Sequence, residues 1–221
     1  MKALSLMLLL PFIGAAQFTL NNPQGGVLQL STINRSLDPE DTNGSPYLND
    51  EFKEGKVYVN GDISLEKPMR YNAYKSEIEI FAGEKEYAPL LKRAYIIAKI
   101  GDKTYKMLPY TTDNDLQRVG YFNPLNEGNT VLLFKPEVIL RQGKLPDTNY
   151  DRFRPPTFID ISSYYIKKGE APAEKTRLSK NWVLKTLGDN KKELQEYISS
   201  NKLNLRQEED VVALLDFYNS L

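Results

Sequence analysis

Two hydrophobic periods divide the chain. From Phe52 to Phe81 apolar and polar residues alternate with a period of two, and from Ser179 onward the spacing becomes helical. In the first stretch Lys56-Val57-Tyr58-Val59 are strand formers, followed at once by Asn60-Gly61. Both residues of that pair tolerate positive φ, so it predicts a type I′ hairpin. Beyond the turn Ile63 and Leu65 alternate with Asp62, Ser64 and Glu66, and Pro68 marks the start or the edge of the next strand. Met69, Tyr71 and Ala73 then alternate with Arg70, Asn72 and Tyr74, and Ile78 and Ile80 with Glu77, Glu79 and Phe81. This is a meander of three short strands with one buried face.

The same grammar extends in both directions. Phe18 to Leu20 and Gly26 to Thr32 read as an opening strand pair, and Asn34 to Asp50 as an irregular surface connection. After the meander, Tyr87 to Leu91 is a bridging piece, and strands follow over Lys92–Ile100, Thr104–Leu108 and Val119–Phe122. Thr130 to Leu140 reads as one long strand interrupted by Pro136, and Thr157 to Lys168 as another. Between them Gly143 to Pro156, with three prolines, is the least structured internal stretch. Roughly ten short strands at this spacing signal an antiparallel barrel or sandwich.

The tail predicts three helices. Ser179 is placed to N-cap the first, which carries Trp182, Val183, Leu184 and Leu187 and stops at Gly188. Asp189 would cap the second, with Leu194, Tyr197 and Ile198 on one side and Asn201 at its end. The last, about Gln207 to Asn219, aligns Val211, Leu214, Leu215, Tyr218 and Leu221, and holds three acids in its first turn where the helix dipole favours them. Helices this short are marginal alone, so Trp182 and the Val211 face are expected to bury against each other or the sheet. The fold class expected is therefore α+β: a predominantly antiparallel β meander, barrel-like or sandwich, with a C-terminal helical cap. Residues 17–178 form the β domain and 179–221 the cap.

The N-terminus adds a compartment. Met1-Lys2, the apolar run Ala3 to Ile13 and the small residues Gly14-Ala15-Ala16 read as a secretory signal peptide over 1–16, cut between Ala16 and Gln17. The run is too short for a membrane span, so the mature chain is expected to carry no transmembrane segment and to be periplasmic or secreted. The chain has no cysteine, hence no disulfide and no lipidation site after the apolar run. A bacterial envelope fits an exported, disulfide-free protein of this length.

Composition then removes chemistry. Lys+Arg and Asp+Glu both number 29, a balance that argues against a nucleic-acid partner. With no histidine or cysteine, Ser-His-Asp and Cys-His catalysis, N/S zinc sites and His or Cys haem ligation are all excluded. Three kinds of site survive. Asp38, Glu40 and Asp41, or Asp113 and Asp115, could supply the two facing carboxylates of a hydrolase. Asp113-Asn114-Asp115 and Asp41 to Ser45 offer oxygen ligands for Ca²⁺, without the twelve-residue loop of a dedicated site. Solvated acidic turns are the plainer reading of both.

The third is aromatic. Tyr47, Tyr58, Tyr71, Tyr74 and Tyr87 crowd the meander, and tyrosine with arginine favours contact surfaces. Most would serve as ordinary strand formers. The candidate binding residues are Arg70, Tyr71 and Tyr74, together with the loop Arg152-Phe153-Arg154.

The segments SPYLNDEF, GKVYVNG and MRYNAYKSEIEI, with the C-terminal GDNKKELQEYISSNKLNLRQEEDVVALLDFYNSL, resemble an uncharacterised family of signal-peptide-bearing Bacteroidota envelope proteins. The resemblance implies a periplasmic or outer-membrane-associated setting and carries over no catalytic residue. The expected function is a non-enzymatic binding or interaction protein, with an envelope protein as partner, as an accessory subunit of an envelope complex would have. The alternatives are a carrier holding a small apolar ligand in the mouth of a barrel, and a carboxylate-based hydrolase.

Overall fold

The computed structural model describes residues 42–84, 86–144 and 152–221, together with the backbone of three short strands before them. The signal segment, its cleavage site and the acids Asp38, Glu40 and Asp41 lie outside the described residues.

The architecture is α+β, mostly antiparallel sheet with three C-terminal helices. Two leading strands, β1 (Thr19–Asn21) and β2 (Val27–Gln29), pair with each other. A long sheet then takes β3 (Asn34–Arg35), β4 (Lys53–Val59), β5 (Asp62–Asn72), β6 (Glu77–Gly83), β7 (Glu86–Pro89), β8 (Ile96–Ile100), β9 (Lys103–Thr111), β10 (Gln117–Pro124) and β11 (Thr130–Lys135). After an excursion through β12 (Val138–Arg141) and β13 (Thr157–Asp160), it is completed by β14 (Ser163–Lys168) and β15 (Glu174–Thr176). Its order is β15-β14-β11-β10-β9-β8-β4-β5-β6-β7-β3. Every neighbouring pair is antiparallel.

Local chemistry explains the turns. Asn60 and Gly61 have φ of 52° and 95°, as a type I′ turn requires, and the β4–β5 hairpin closes on them. The alternation places Val57, Leu65, Met69, Tyr71, Ile78 and Ile80 on one face, where they form the first core with Ile96, Ala98, Tyr105 and Tyr121.

Two expected long strands are each broken. Thr130 to Leu140 divides at Pro136 into β11 and β12, and Thr157 to Lys168 divides into β13 and β14. At both breaks the chain leaves the long sheet to build the separate β12–β13 ribbon. The corners are tied together: Ile161 N–H donates to the Glu137 carbonyl at 2.9 Å and Glu137 N–H to Ser162 Oγ at 3.1 Å. The ribbon lays Val138 and Phe158 onto the first core. The bridging piece after Phe81 is itself a strand, β7, paired with β6.

The sheet does not close into a barrel. Its far end nevertheless curls back. Ala173, just before β15, makes an isolated parallel bridge to Tyr110 of β9, donating to the Pro109 carbonyl at 2.9 Å and accepting from Thr111 N–H at 3.0 Å. Inside the curl Tyr110, Phe122 and Tyr165 meet edge to face, with ring centroids 5.2–5.6 Å apart. This aromatic plug is the second core, with Leu133 and Ala173 around it.

The helices α1 (Lys180–Leu187), α2 (Lys191–Ser200) and α3 (Glu208–Ser220) form the third core on the outer side of β11 and β14, over Leu132 and Ile166. Ser179 caps α1 through the Trp182 N–H, and Gly188, with φ of 83°, ends it. Two expectations are corrected. Asn190, not Asp189, precedes α2, because the Asp189 carboxylate is engaged by the Tyr218 hydroxyl at 2.6 Å. Trp182 is 39% exposed, its ring flanked by Arg177 and Lys185, because Val183, Leu184 and Leu187 occupy the buried face of α1.

Candidate functional site

Arg70 and Glu79 stand directly opposite each other on β5 and β6, on the face away from the first core. Strand alternation alone would leave that face in water. Residues 42–52 fold across it instead, and Glu79 is 0% exposed. Its carboxylate accepts from Arg70 Nε at 2.7 Å, from Asn72 Nδ2 at 2.9 Å and from the Tyr47 hydroxyl at 3.0 Å. The guanidinium also donates to Tyr47 Oη at 2.6 Å and to the Asp50 carbonyl at 3.0 Å. Its carbon lies 3.9 Å and 4.3 Å from the centroids of the Tyr47 and Phe52 rings. Burial, and then the negative charge of Glu79, hold the Tyr47 hydroxyl well above the ordinary tyrosine range. Arg70 therefore fastens a loop to the sheet.

Tyr71, one residue on, points the other way. It stacks on Tyr105 at 4.9 Å, meets Tyr121 edge-on at 5.8 Å, and pairs its hydroxyl with Ser76 at 3.1 Å. Burial pushes its hydroxyl far up, and that of Tyr105 up to about 12. Tyr74 stands at the surface, 45% exposed, with one ring edge against Phe158 of the ribbon. The residues Arg70, Tyr71 and Tyr74, adjacent in sequence, thus face three different surroundings.

The Arg152-Phe153-Arg154 segment leads into β13. Reciprocal backbone bonds between Lys144 and Arg154, at 2.8 and 3.0 Å, pin it to the end of the ribbon. All three of its side chains lie exposed, Phe153 at 54%. Arg141, opposite Thr157, and Lys144, opposite Arg154, belong to the same end of the ribbon. Asn43 ties the segment that follows, through Asn43 N–H to the Pro156 carbonyl and Phe158 N–H to the Asn43 carbonyl, both 2.9 Å.

Two of the acidic candidates lie among the described residues. Asp113 forms an exposed ion pair with Lys175 at 2.7 Å, and Asp115 sits in a turn with φ of 58°, its N–H on the Thr112 carbonyl. Among the described residues no group of three or more acidic side chains converges as a cation site would. Lys135, itself buried, pairs with Glu137 beside the Tyr110 ring.

Clefts open near these elements. A small one of about 150 Å³ lies between residues 48–53 and the strands β9 and β10. Asn123 lines it with its Nδ2 donating to the Thr104 carbonyl at 2.8 Å, while its buried Oδ1 accepts from no described residue. A larger cleft of about 540 Å³ lies at the mouth of the curled end, over Leu108, Val131 and Leu133. One of its walls is the β10–β11 turn, which α3 holds in place: Asn219 accepts from Thr130 N–H at 2.8 Å and donates to the Thr130 carbonyl at 2.9 Å. Sequence reasoning missed this wall, since its only signal was the glycine at 128. With φ of 114°, Gly128 passes so close to Asn219 that a Cβ would lie 2.5 Å from its Nδ2.

No family model, curated protein or solved structure matches this chain.

Proposed function

We propose that this chain is an exported, non-enzymatic binding protein of a bacterial envelope, and that it engages an acidic partner protein through the end of its β12–β13 ribbon. The observation that carries this reading is Phe153, more than half exposed between Arg152 and Arg154 on a segment whose backbone is bonded to Lys144. An exposed ring beside guanidinium groups is the composition of an interface anchor. Counting Asp147 and Asp151 of the same stretch against Arg141, Lys144, Arg152 and Arg154 still leaves two positive charges in excess. That excess selects an acidic surface.

The absence of histidine and cysteine from the whole chain supports binding over conversion. So does the fate of Glu79, whose carboxylate is saturated by Arg70, Asn72 and Tyr47 and has no access to a substrate. The test is crosslinking in intact cells of the native host, comparing the wild type with Phe153→Ala and Arg154→Glu. A specific acidic envelope protein captured by the wild type and lost from both variants supports the reading. Equal capture by all three chains, or no crosslinked species, overturns it.

A further inference from the structure

We propose that the cleft at the mouth of the curled end is a binding site for a small amphipathic anion, a molecule with an apolar body and a single carboxylate-type head. The site lies on the inner face of the sheet's curled end, between β9, β11 and the β10–β11 turn. The Ala173 bridge to Tyr110 brings β15 back beside β9, and the Tyr110–Phe122–Tyr165 plug fills the interior below. A ligand has no room inside, and the space lies above the plug. That space is about 540 Å³, within the range that takes drug-sized molecules.

Its lining separates by chemistry. Leu108 from β9 and Val131 and Leu133 from β11 form an apolar floor continuous with the second core, and Leu125 of the β10–β11 turn extends it up one wall. Apolar area of this kind gains by being covered, at about 25 cal/mol per Å². Two ammonium groups, Lys106 and Lys167, stand over the floor against the one carboxylate of Glu127. The Lys167 ammonium is drawn to the Gly169 carbonyl, which leaves Lys106 as the cation facing the cleft. A neutral apolar ligand would cover the floor and leave Lys106 unanswered. A strongly charged, fully polar ligand would leave the floor in water. An anionic head on an apolar body satisfies both.

That same β10–β11 turn is tied to the helical cap, through Asn219 to residues 127 and 130 and through Asn126 to Asp216 at 3.0 Å. A pre-formed wall lowers the ordering cost of binding.

Such a molecule could arrive as a free fatty acid or as part of a bilayer, and the experiment separates the two sources. The full chain is titrated calorimetrically with monomeric dodecanoate and with dodecanol, and mixed with vesicles of phosphatidylcholine containing phosphatidylglycerol. The inference expects saturable one-to-one binding of dodecanoate, about tenfold weaker binding of dodecanol, and methyl chemical-shift changes confined to Leu108, Leu125, Val131 and Leu133. Lys106→Gln, a surface change that leaves the floor intact, should weaken dodecanoate about fivefold to tenfold while leaving dodecanol unaffected. Shifts at those methyls that a folded Lys106→Gln does not alter, adsorption to vesicles without uptake of monomer, or no saturable binding would each overturn it. The ribbon reading stands or falls separately, because Phe153 and Arg154 lie outside this cleft.

Discussion

Replacing Arg70 with methionine should be among the most damaging single substitutions outside the apolar cores. Methionine keeps the aliphatic stem but removes the bond to Glu79 at 2.7 Å, the bond to Tyr47 at 2.6 Å and the bond to the Asp50 carbonyl at 3.0 Å. Glu79 is left with Asn72 and Tyr47 as donors, and with no cation bonded to its carboxylate, at a fully buried position. Breaking a buried pair in this way costs about 3–5 kcal/mol, most of it the uncompensated charge. Loss of the two ring contacts at 3.9 and 4.3 Å adds to that at about 0.5–1 kcal/mol each. We therefore expect a loss of about 4–7 kcal/mol for Arg70→Met. The double variant Arg70→Met/Glu79→Leu should lose only about 2–3 kcal/mol, since the stranded charge is gone and the Asn72 and Tyr47 donors alone lack an acceptor. The assay is urea unfolding of the single and double variants, read where the slopes agree so that the free energies compare like with like. A cost below about 1 kcal/mol for Arg70→Met would mean that water screens the pair, and that residues 42–52 do not seal this face.

Other perturbations probe the remaining elements. Gly128→Ala demands positive φ of a residue with a Cβ and displaces Asn219, so it should cost about 2–3 kcal/mol, and a Gly128→Ala melt close to that of the wild type would contradict the clamp. Phe122→Ala opens the aromatic plug and should cost about 3–5 kcal/mol, measured by the same unfolding experiment. Tyr105, Tyr164 and Tyr165 are held up to about 12, chiefly by burial. Their neutral forms contribute stability that is complete below the ordinary tyrosine range near 10 and is lost as pH rises toward about 12. Thermal melts across that interval should fall steadily, with phenolate absorbance of these residues appearing only as the chain unfolds; fast phenolate formation in the folded protein would refute it.

Some of this molecule was legible in its residues. The period-two stretch from Leu65 to Ile80 specified which side chains face the first core, because a one-residue slip would have exposed all of them; Ile63, expected on the same face as Leu65, is instead 48% exposed, beside the register shift at Val57/Tyr58. Asn60-Gly61 specified a hairpin, and Ser179 and Gly188 the ends of α1, because those backbone angles and caps are local chemistry. The chemical alphabet, with no histidine or cysteine, was also fully readable.

What stayed hidden depended on segments distant in sequence. Alternation marks Arg70 and Glu79 as the polar side of a ladder, and only the return of residues 42–52 over that side makes them a buried pair. Trp182 has the composition of an anchor, yet three neighbours on α1 fill the interface before it can. Pro136 interrupts an apolar run without saying that the chain leaves the sheet there, for that needs the reciprocal corner at 161–162. The cleft over Leu108, Val131 and Leu133 takes one wall from a turn that α3 holds from some ninety residues further along the chain. Periodicity is set by neighbours two to four residues apart, and so it reports which face is apolar; what comes to cover that face is decided by contacts whose separation along the chain no local pattern records.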